Sequence, residues 1–240
     1  MTRERIDTAI KCAALAAMTI DHAARLHLDG AALAAAFSLG RTAAPAFMAL
    51  IALRLAQRPQ REFTYLHRLI PWALAAVPVY GLAKAVMAGQ TLSSTAAWLW
   101  LGCGNILVTL ALGVAAAAAL RRGRTPGRAA VSAALAAAAL PLAAHVSYGL
   151  AGVLAVPVLT AVARHASGAA YGRAVAAAAV AINAPAGTAA VCASLPAALV
   201  LAAVFHHRAA APSHPGHTPP AHQAAYAYYP AHLALLTATL

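Results

Sequence analysis

The chain reads as long apolar blocks separated by short polar stretches. Apolar runs of spanning or near-spanning length cover residues 10–27, 33–53, 66–87, 97–120, 129–145, 148–162, 171–184, 188–206 and 223–240. At about 1.5 Å of rise per residue, roughly 20 apolar residues cross a bilayer core about 30 Å thick. The pattern therefore predicts an all-α, polytopic transmembrane helix bundle of about nine spans, within a range of about eight to ten. It forms a single integral-membrane domain over residues 1–240. The longest polar stretch, 209–223, carries four Pro and three His and predicts a flexible cytoplasmic loop before the last helix.

Composition supports the same solvent. Hydrophobic residues make up 62% of the 240 and charged residues 9%, against about 45–50% and about 25% in a soluble domain. A water-soluble globule is excluded, and so is disorder, which needs low hydrophobicity and high net charge. The run after Arg3, Glu4 and Arg5 lacks a small-residue cleavage pattern and contains Asp21 and His22, so it predicts a retained helix rather than a signal peptide. Cys12, Cys103 and Cys192 lie in apolar runs without C-x-x-C spacing and predict neither a disulfide framework nor a thiolate site. No internal repeat is apparent, which gives no support to an inverted-repeat transporter plan.

The formal charge of +12 would suggest nucleic acid in a soluble protein, but in a membrane protein it reports topology. Fourteen of the seventeen Lys and Arg fall in alternate loops, which places the N-terminus in the cytoplasm and the C-terminus outside. No nucleic-acid partner is expected; the bilayer is. Arg25, Arg41 and Lys84 break the alternation.

Charged groups inside a span cost several kcal/mol unless paired or hydrated, and so mark candidate chemistry. Asp21 and His22 lie toward the outer end of the first span. Arg41 lies as far into the second, across a turn near Gly30 and Ala31. The spacing predicts an Asp21–Arg41 ion pair beside His22, which reads either as packing or as tuning of the imidazole. Asn105, His232 and Tyr148 fall in the same half of the membrane, and Tyr226, Tyr228 and Tyr229 precede Pro230, which is expected to kink or interrupt the last helix. A buried outer-leaflet cavity is the simplest arrangement. The histidines of 209–223 have no fixed geometry, and no metal is expected.

These segments, in order, resemble the TraX family, membrane proteins associated with N-terminal acetylation of conjugative pilin and related to integral-membrane acyltransferases. The resemblance rests on Ile10, Lys11, Asp21 and His22; on Gly40, Arg41, Pro45 and Phe47; on Arg68 and Leu69; on Gly104, Asn105, Ile106 and Leu107; on Tyr148, Gly149 and Gly152; and on Tyr226, His232 and Leu233. Ser147 stands where the family pattern often has Asp and receives no role. The resemblance implies a multi-pass protein of the bacterial inner membrane. It would move an acetyl group from cytoplasmic acetyl-CoA to the N-terminal amine of a membrane-held pilin.

An amine attacking a thioester needs a base and a stabilised oxyanion. His22 is assigned as base, oriented by Asp21, with Arg41 and Asn105 on the oxyanion or cofactor side and His232 as second base or amine-positioning group. Asn105 and Arg68 are assigned to the cofactor, and Tyr148 and Tyr229 to the substrate. The cytoplasmic Arg54, Arg58, Arg61 and Arg68 would attract the nucleotide phosphates. No Ser or Cys nucleophile has an evident base partner, which favours direct transfer. Acylation of a sugar or lipid hydroxyl, a transporter and a non-catalytic pilus assembly factor are the alternatives. Oligomeric state and the identity of the acceptor are open at this level.

Overall fold

The computed structural model describes residues 2–87, 104–122, 146–210 and 221–238. Among these the elements are helices α1 (Arg3–His27), α2 (Gly30–Gly40), α3 (Ala43–Gln57), α4 (Glu62–Met87), α5 (Ile106–Arg122), α6 (Gly149–His165), α7 (Gly168–Asn183), α8 (Thr188–Ala210) and α9 (Ala221–Ala238), with 3₁₀ turns at Pro59–Arg61 and Ala184–Ala186. The all-helical expectation holds. The predicted span 129–145 and the first part of 97–120 lie outside the described residues, as does Cys103.

Two boundaries differ from the hydropathy pattern for local reasons. The run 33–53 is not one helix: α2 ends at Gly40 and α3 starts at Ala43. Pro45 has no N–H for the Arg41 carbonyl, and its ring would clash with that oxygen in a continuous helix. In the first turn of α3 the missing donor is harmless, because N–H groups there have no intrahelical acceptor. Of the predicted loop 209–223, residues 209–210 belong to α8 and 221–223 to α9, and 211–220 lie outside the described residues. α9 also passes through Pro230 without interruption.

Helix α3 is the centre of the bundle. Ten of its fifteen residues are buried, on all sides of the helix, as expected of an element surrounded by others. Its alanines let α1, α5, α6 and α7 approach closely, while α4 packs on α5 and α9, and α1 on α2 and α9. Where α7 meets α8, Gly168 and Gly172 are four apart and face Ala209 and Ala202; a Cβ on Gly172 would lie 2.5 Å from the Ala202 carbonyl oxygen. This is the small-residue packing that apolar solvents favour, since no hydrophobic force holds helices together there.

The outer faces are apolar. Leu74 on α4, Leu120 on α5, Leu199 on α8 and Leu235 on α9 are each 65–71% exposed. Two described segments, Gly30–Gln57 and Glu62–Val86, are long and apolar enough to cross a membrane; Ile106–Arg121 and Gly149–His165 are apolar but shorter. The fold is consistent with a membrane protein.

At the end of the bundle where α3 finishes, two buried carboxylates collect arginines. Asp7 is 2% exposed and accepts from Arg54 Nη2 at 2.7 Å and from both Nε and Nη2 of the buried Arg208. Arg3 Nη2 donates to the Ala209 carbonyl at 2.8 Å. Glu62, 1% exposed, accepts both Nε and Nη2 of Arg121. Three of the arginines that sequence assigns to topology thus also tie α1 to α3 and α8, and α4 to α5.

Removing one partner of a buried ion pair strands the others at a cost of about 3–5 kcal/mol. Asp7→Ala is therefore expected to lower the thermal unfolding temperature of the detergent-solubilised protein, whereas Arg5→Ala, at an exposed position, changes stability by less than about 0.5 kcal/mol. An unchanged melting curve for Asp7→Ala would exclude a supporting role for the network. At the α7–α8 contact, Gly172→Leu is expected to separate the helices and reduce the yield of folded protein, while Ala177→Leu, on the exposed face of α7, is tolerated.

Candidate active site

A cavity of about 240 Å³ opens between α1, α2, α4 and the start of α6, with His22, Asp21, Arg41, Tyr148 and Tyr229 in its wall. His22 is held from behind. Its Nδ1 lies 3.0 Å from Nε2 of His232, with the two rings stacked at 5.2 Å and 8°. His232 Nδ1 in turn lies 3.0 Å from the Tyr228 carbonyl oxygen.

The tautomers follow from that carbonyl. It can only accept, so His232 Nδ1 carries a proton, and the Nε2 of a neutral ring is then a bare lone pair. His22 Nδ1 must donate to it. The Nε2 of His22 is left unprotonated as the nitrogen available to a reactant. The chain from carbonyl to His232 to His22 has the logic of a base oriented by a third group. Tyr228 and Tyr229 fix the pair further: Tyr228 stacks on His232 at 5.1 Å, and Tyr229 meets His22 and His232 edge-on at 6.4 and 5.7 Å. The Tyr228 hydroxyl is bonded to Thr19 Oγ1 at 2.8 Å, which ties α9 to α1.

Asp21 does not orient His22, and the expected ion pair to Arg41 does not form. Asp21 Oδ1 accepts from Arg25 Nε at 3.1 Å, one turn along the same helix. The depth match across the hairpin is correct even so: a Cβ on Gly40 would lie 2.2 Å from the Asp21 Cβ, so only glycine lets α2 pass α1 at this level. Arg41, next in the chain, sits at the break before Pro45 and lies over the Phe37 ring at 4.2 Å and near the Tyr148 ring at 5.7 Å. Arg25 also lies over Phe37, at 4.7 Å. One aromatic ring between two guanidinium groups lets like charges share a small space.

Opposite lie the residues that lead into α5 and α6. Asn105 is fully buried, and its Oδ1 caps α5 by accepting the Val108 N–H at 3.1 Å, while its Nδ2 donates to the Ala73 carbonyl at 3.2 Å. Its amide is therefore engaged in joining α4 to α5, and the residue lines neither cavity. Ser147 donates through its hydroxyl to the Gly104 carbonyl, and its own carbonyl accepts Thr109 Oγ1 at 2.7 Å. Tyr148 and Gly149 follow with φ of +68° and +55°. A bulky residue in this region is uncommon; here it turns the Tyr148 ring into the cavity wall. Gly152 accommodates the turn, since a Cβ there would lie 2.8 Å from the Tyr148 Cβ.

A second, apolar cavity of about 80 Å³ runs toward the Asp7 end, lined by residues such as Leu15, Leu50, Leu107 and Leu110, with Lys11, Arg54 and Tyr65 also in its wall. Met18, Ile106 and Tyr229 line both cavities and stand between them, with His22 in the wall of the larger one. Arg54, Arg58, Arg61 and Arg68 all act electrostatically on Tyr65. Arg68 itself is exposed on α4 and lines neither cavity.

The structure thus gathers His22, Asp21, Arg41, Tyr148 and Tyr229 around one space, sets His232 directly behind His22, and leaves Asn105 and Arg68 away from it. Sequence reasoning missed Tyr80, Arg25 and Lys84 as cavity residues. For two of these a signal was present: Arg25, Arg41 and Lys84 are the three basic residues that break the loop alternation, and all three line this cavity. The direct bond between His22 and His232, 210 residues apart, had no local signal. Among the described residues no three His, Cys, Asp or Glu side chains converge as metal ligands.

No curated protein and no solved structure matches the chain. A family model described as TraX protein matches residues 7–239, nearly the whole length. The match contains every residue of the cavity wall and of the buried ion pairs, and the chain therefore belongs to the TraX family.

Proposed function

We propose that the protein is an integral-membrane acetyltransferase that moves an acetyl group from acetyl-CoA to the N-terminal amine of a conjugative pilin. The observation that carries this reading is an unprotonated histidine nitrogen in the wall of a polar cavity that shares Met18, Ile106 and Tyr229 with a second, apolar cavity whose wall holds Lys11 and Arg54. Membership of a family associated with conjugative pilin processing supplies the acceptor. In the membrane the protein crosses about nine times, with the N-terminus and the Asp7 end in the cytoplasm of a bacterial cell, in its inner membrane. The donor then enters from the side where acetyl-CoA exists.

Acetyl-CoA supplies the activated acyl group. Lys11 and Arg54 receive its phosphates at the cavity rim, with Arg58, Arg61 and Arg68 adding attraction at longer range. The apolar bore between Leu15, Leu50 and Leu110 excludes water from the arm that carries the thioester. His22 Nε2 takes the proton of the attacking amine as the new C–N bond forms. The imidazolium so produced is stabilised through its Nδ1–H by the His232 lone pair, and it can return the proton to the departing thiolate. Arg41 faces the cavity with its Nε buried and without a hydrogen-bond partner, in position to stabilise the oxyanion. Tyr148 and Tyr229 shape the space for the acceptor. Asn105 acts indirectly, by capping the helix whose first residue lines both cavities.

The test is the intact mass of the cognate pilin purified from cells carrying the wild-type protein, His22→Ala, or none. One acetyl mass at the N-terminal residue, present with wild type and lost with His22→Ala, is the expected outcome, because loss of a general base costs about 10²–10⁴-fold. An unchanged pilin mass in all three cultures overturns the reading. His232→Ala is expected to lower the rate less, and His232→Gln, which still offers an acceptor to His22 Nδ1–H, to restore part of it. A variant order with His232→Gln no better than His232→Ala would remove the orienting role.

A further inference from the structure

The outer cavity holds more positive charge than the protein itself neutralises. The chain has five acidic residues, and all five lie among the described residues. Asp7 is bound to Arg54 and Arg208, Glu62 to Arg121, and Asp21 to Arg25. Glu4 stands in the first turn of α1, and Asp29 is exposed at the start of α2. None of the five is hydrogen-bonded or ion-paired to Arg41 or Lys84; Asp21, in the same wall, acts on Arg41 only through space while bonded to Arg25. Both line the cavity, Arg41 over Phe37 and Lys84 with its Nζ 5.8 Å from the Tyr80 ring centroid.

The half-buried Arg41 is costly there unless a ligand or water compensates, and the exposed Lys84 adds a second positive charge to the same wall. Rings soften that cost but do not remove the charge. A protonated amine gains nothing from such a site. A neutral amine is tolerated, and an anionic neighbour of that amine is attracted.

We propose that Arg41 and Lys84 form an anion subsite that selects acceptor peptides carrying a carboxylate side chain within the first few residues after the reactive amine. The subsite rests on the acetyltransferase reading and deepens it by naming a property of the acceptor. Lys84 is a specificity residue here: it touches the acceptor away from the reacting atoms, and Arg41 serves both the carboxylate side and the oxyanion side of the same space.

The test uses the full-length protein in detergent, acetyl-CoA, and three short peptides with a free N-terminus that differ only in Asp, Asn or Lys near the amine. Wild type is expected to acetylate the Asp peptide with kcat/KM about tenfold above the Asn peptide, the size of one partly hydrated ion pair (about 1.4 kcal/mol), with the Lys peptide lowest. In Lys84→Gln the ratio of the Asp to the Asn rate is expected to fall to less than about half of that on a logarithmic scale, with the KM for acetyl-CoA unchanged. Equal rates on Asp and Asn peptides with wild type, or a preference that survives Lys84→Gln, overturn the subsite while leaving the acetyltransferase reading intact. A rise in the KM for acetyl-CoA in Lys84→Gln instead assigns the cations to the donor and also overturns it. A second arm needs no turnover: binding of N-acetylated Asp and Asn peptides, measured by fluorescence anisotropy. If no peptide is acetylated, the transferase reading fails on its own, and tighter binding of the Asp peptide, lost in Lys84→Gln, then decides for the subsite; equal binding decides against it.

Discussion

Pro45 cannot donate to the Arg41 carbonyl, and the break this forces between α2 and α3 determines where the charges of the cavity go. Were the helix continuous, Arg41 would sit on the flank of a span, within the geometry expected for a pair with Asp21. With the break, α2 stops at Gly40, held against Asp21 at a distance only glycine permits. Arg41 then turns over Phe37 toward Tyr148. Asp21 takes Arg25 as its partner. The Gly40, Arg41 and Pro45 triplet is thus one device: close approach, charged side chain and helix stop.

The distribution of the few acids divides the molecule into two electrostatic regimes. At the Asp7 end, buried carboxylates bind arginines of three helices and act as fasteners. Near the middle and toward the other end, positive groups exceed carboxylates, and the space between them is a cavity rather than packed core. Charge that is neutralised within the fold holds helices together; charge that is not neutralised is left for something that enters. The histidine pair belongs to the second regime but is set by the first principle of hydrogen bonding, that a carbonyl only accepts. That single restriction propagates through two rings and leaves one lone pair free.

Much of this was legible along the chain. The all-helical class, most helix positions, the gathering of Asp21, His22 and Arg41 around one space, and the common depth of the α1–α2 hairpin follow from apolar run length, charge spacing and helical rise. The α2–α3 break was legible in part, because Pro45 was visible but a proline in an apolar run does not say whether a helix kinks, stops or starts there. The buried partners of Arg54, Arg121 and Arg208 were not legible: Asp7 and Glu62 lie 201 and 59 residues from Arg208 and Arg121, and a basic loop residue looks the same whether it marks topology or binds a carboxylate.

The sequence by itself determined the helical class and an apolar character consistent with a membrane protein, since 62% of residues are hydrophobic and 9% charged, and it determined which polar side chains within the apolar runs had to be explained. Only the tertiary structure decided their partners. Asp21 had two arginines within reach and took the one on its own helix; His22 was expected to lean on Asp21 and instead leans on His232. Asn105, expected to face a ligand, caps a helix. The reason is that spacing along a helix sets depth and face but not the rotation of one helix about its neighbour, and a hydrogen bond is won or lost over about 1 Å.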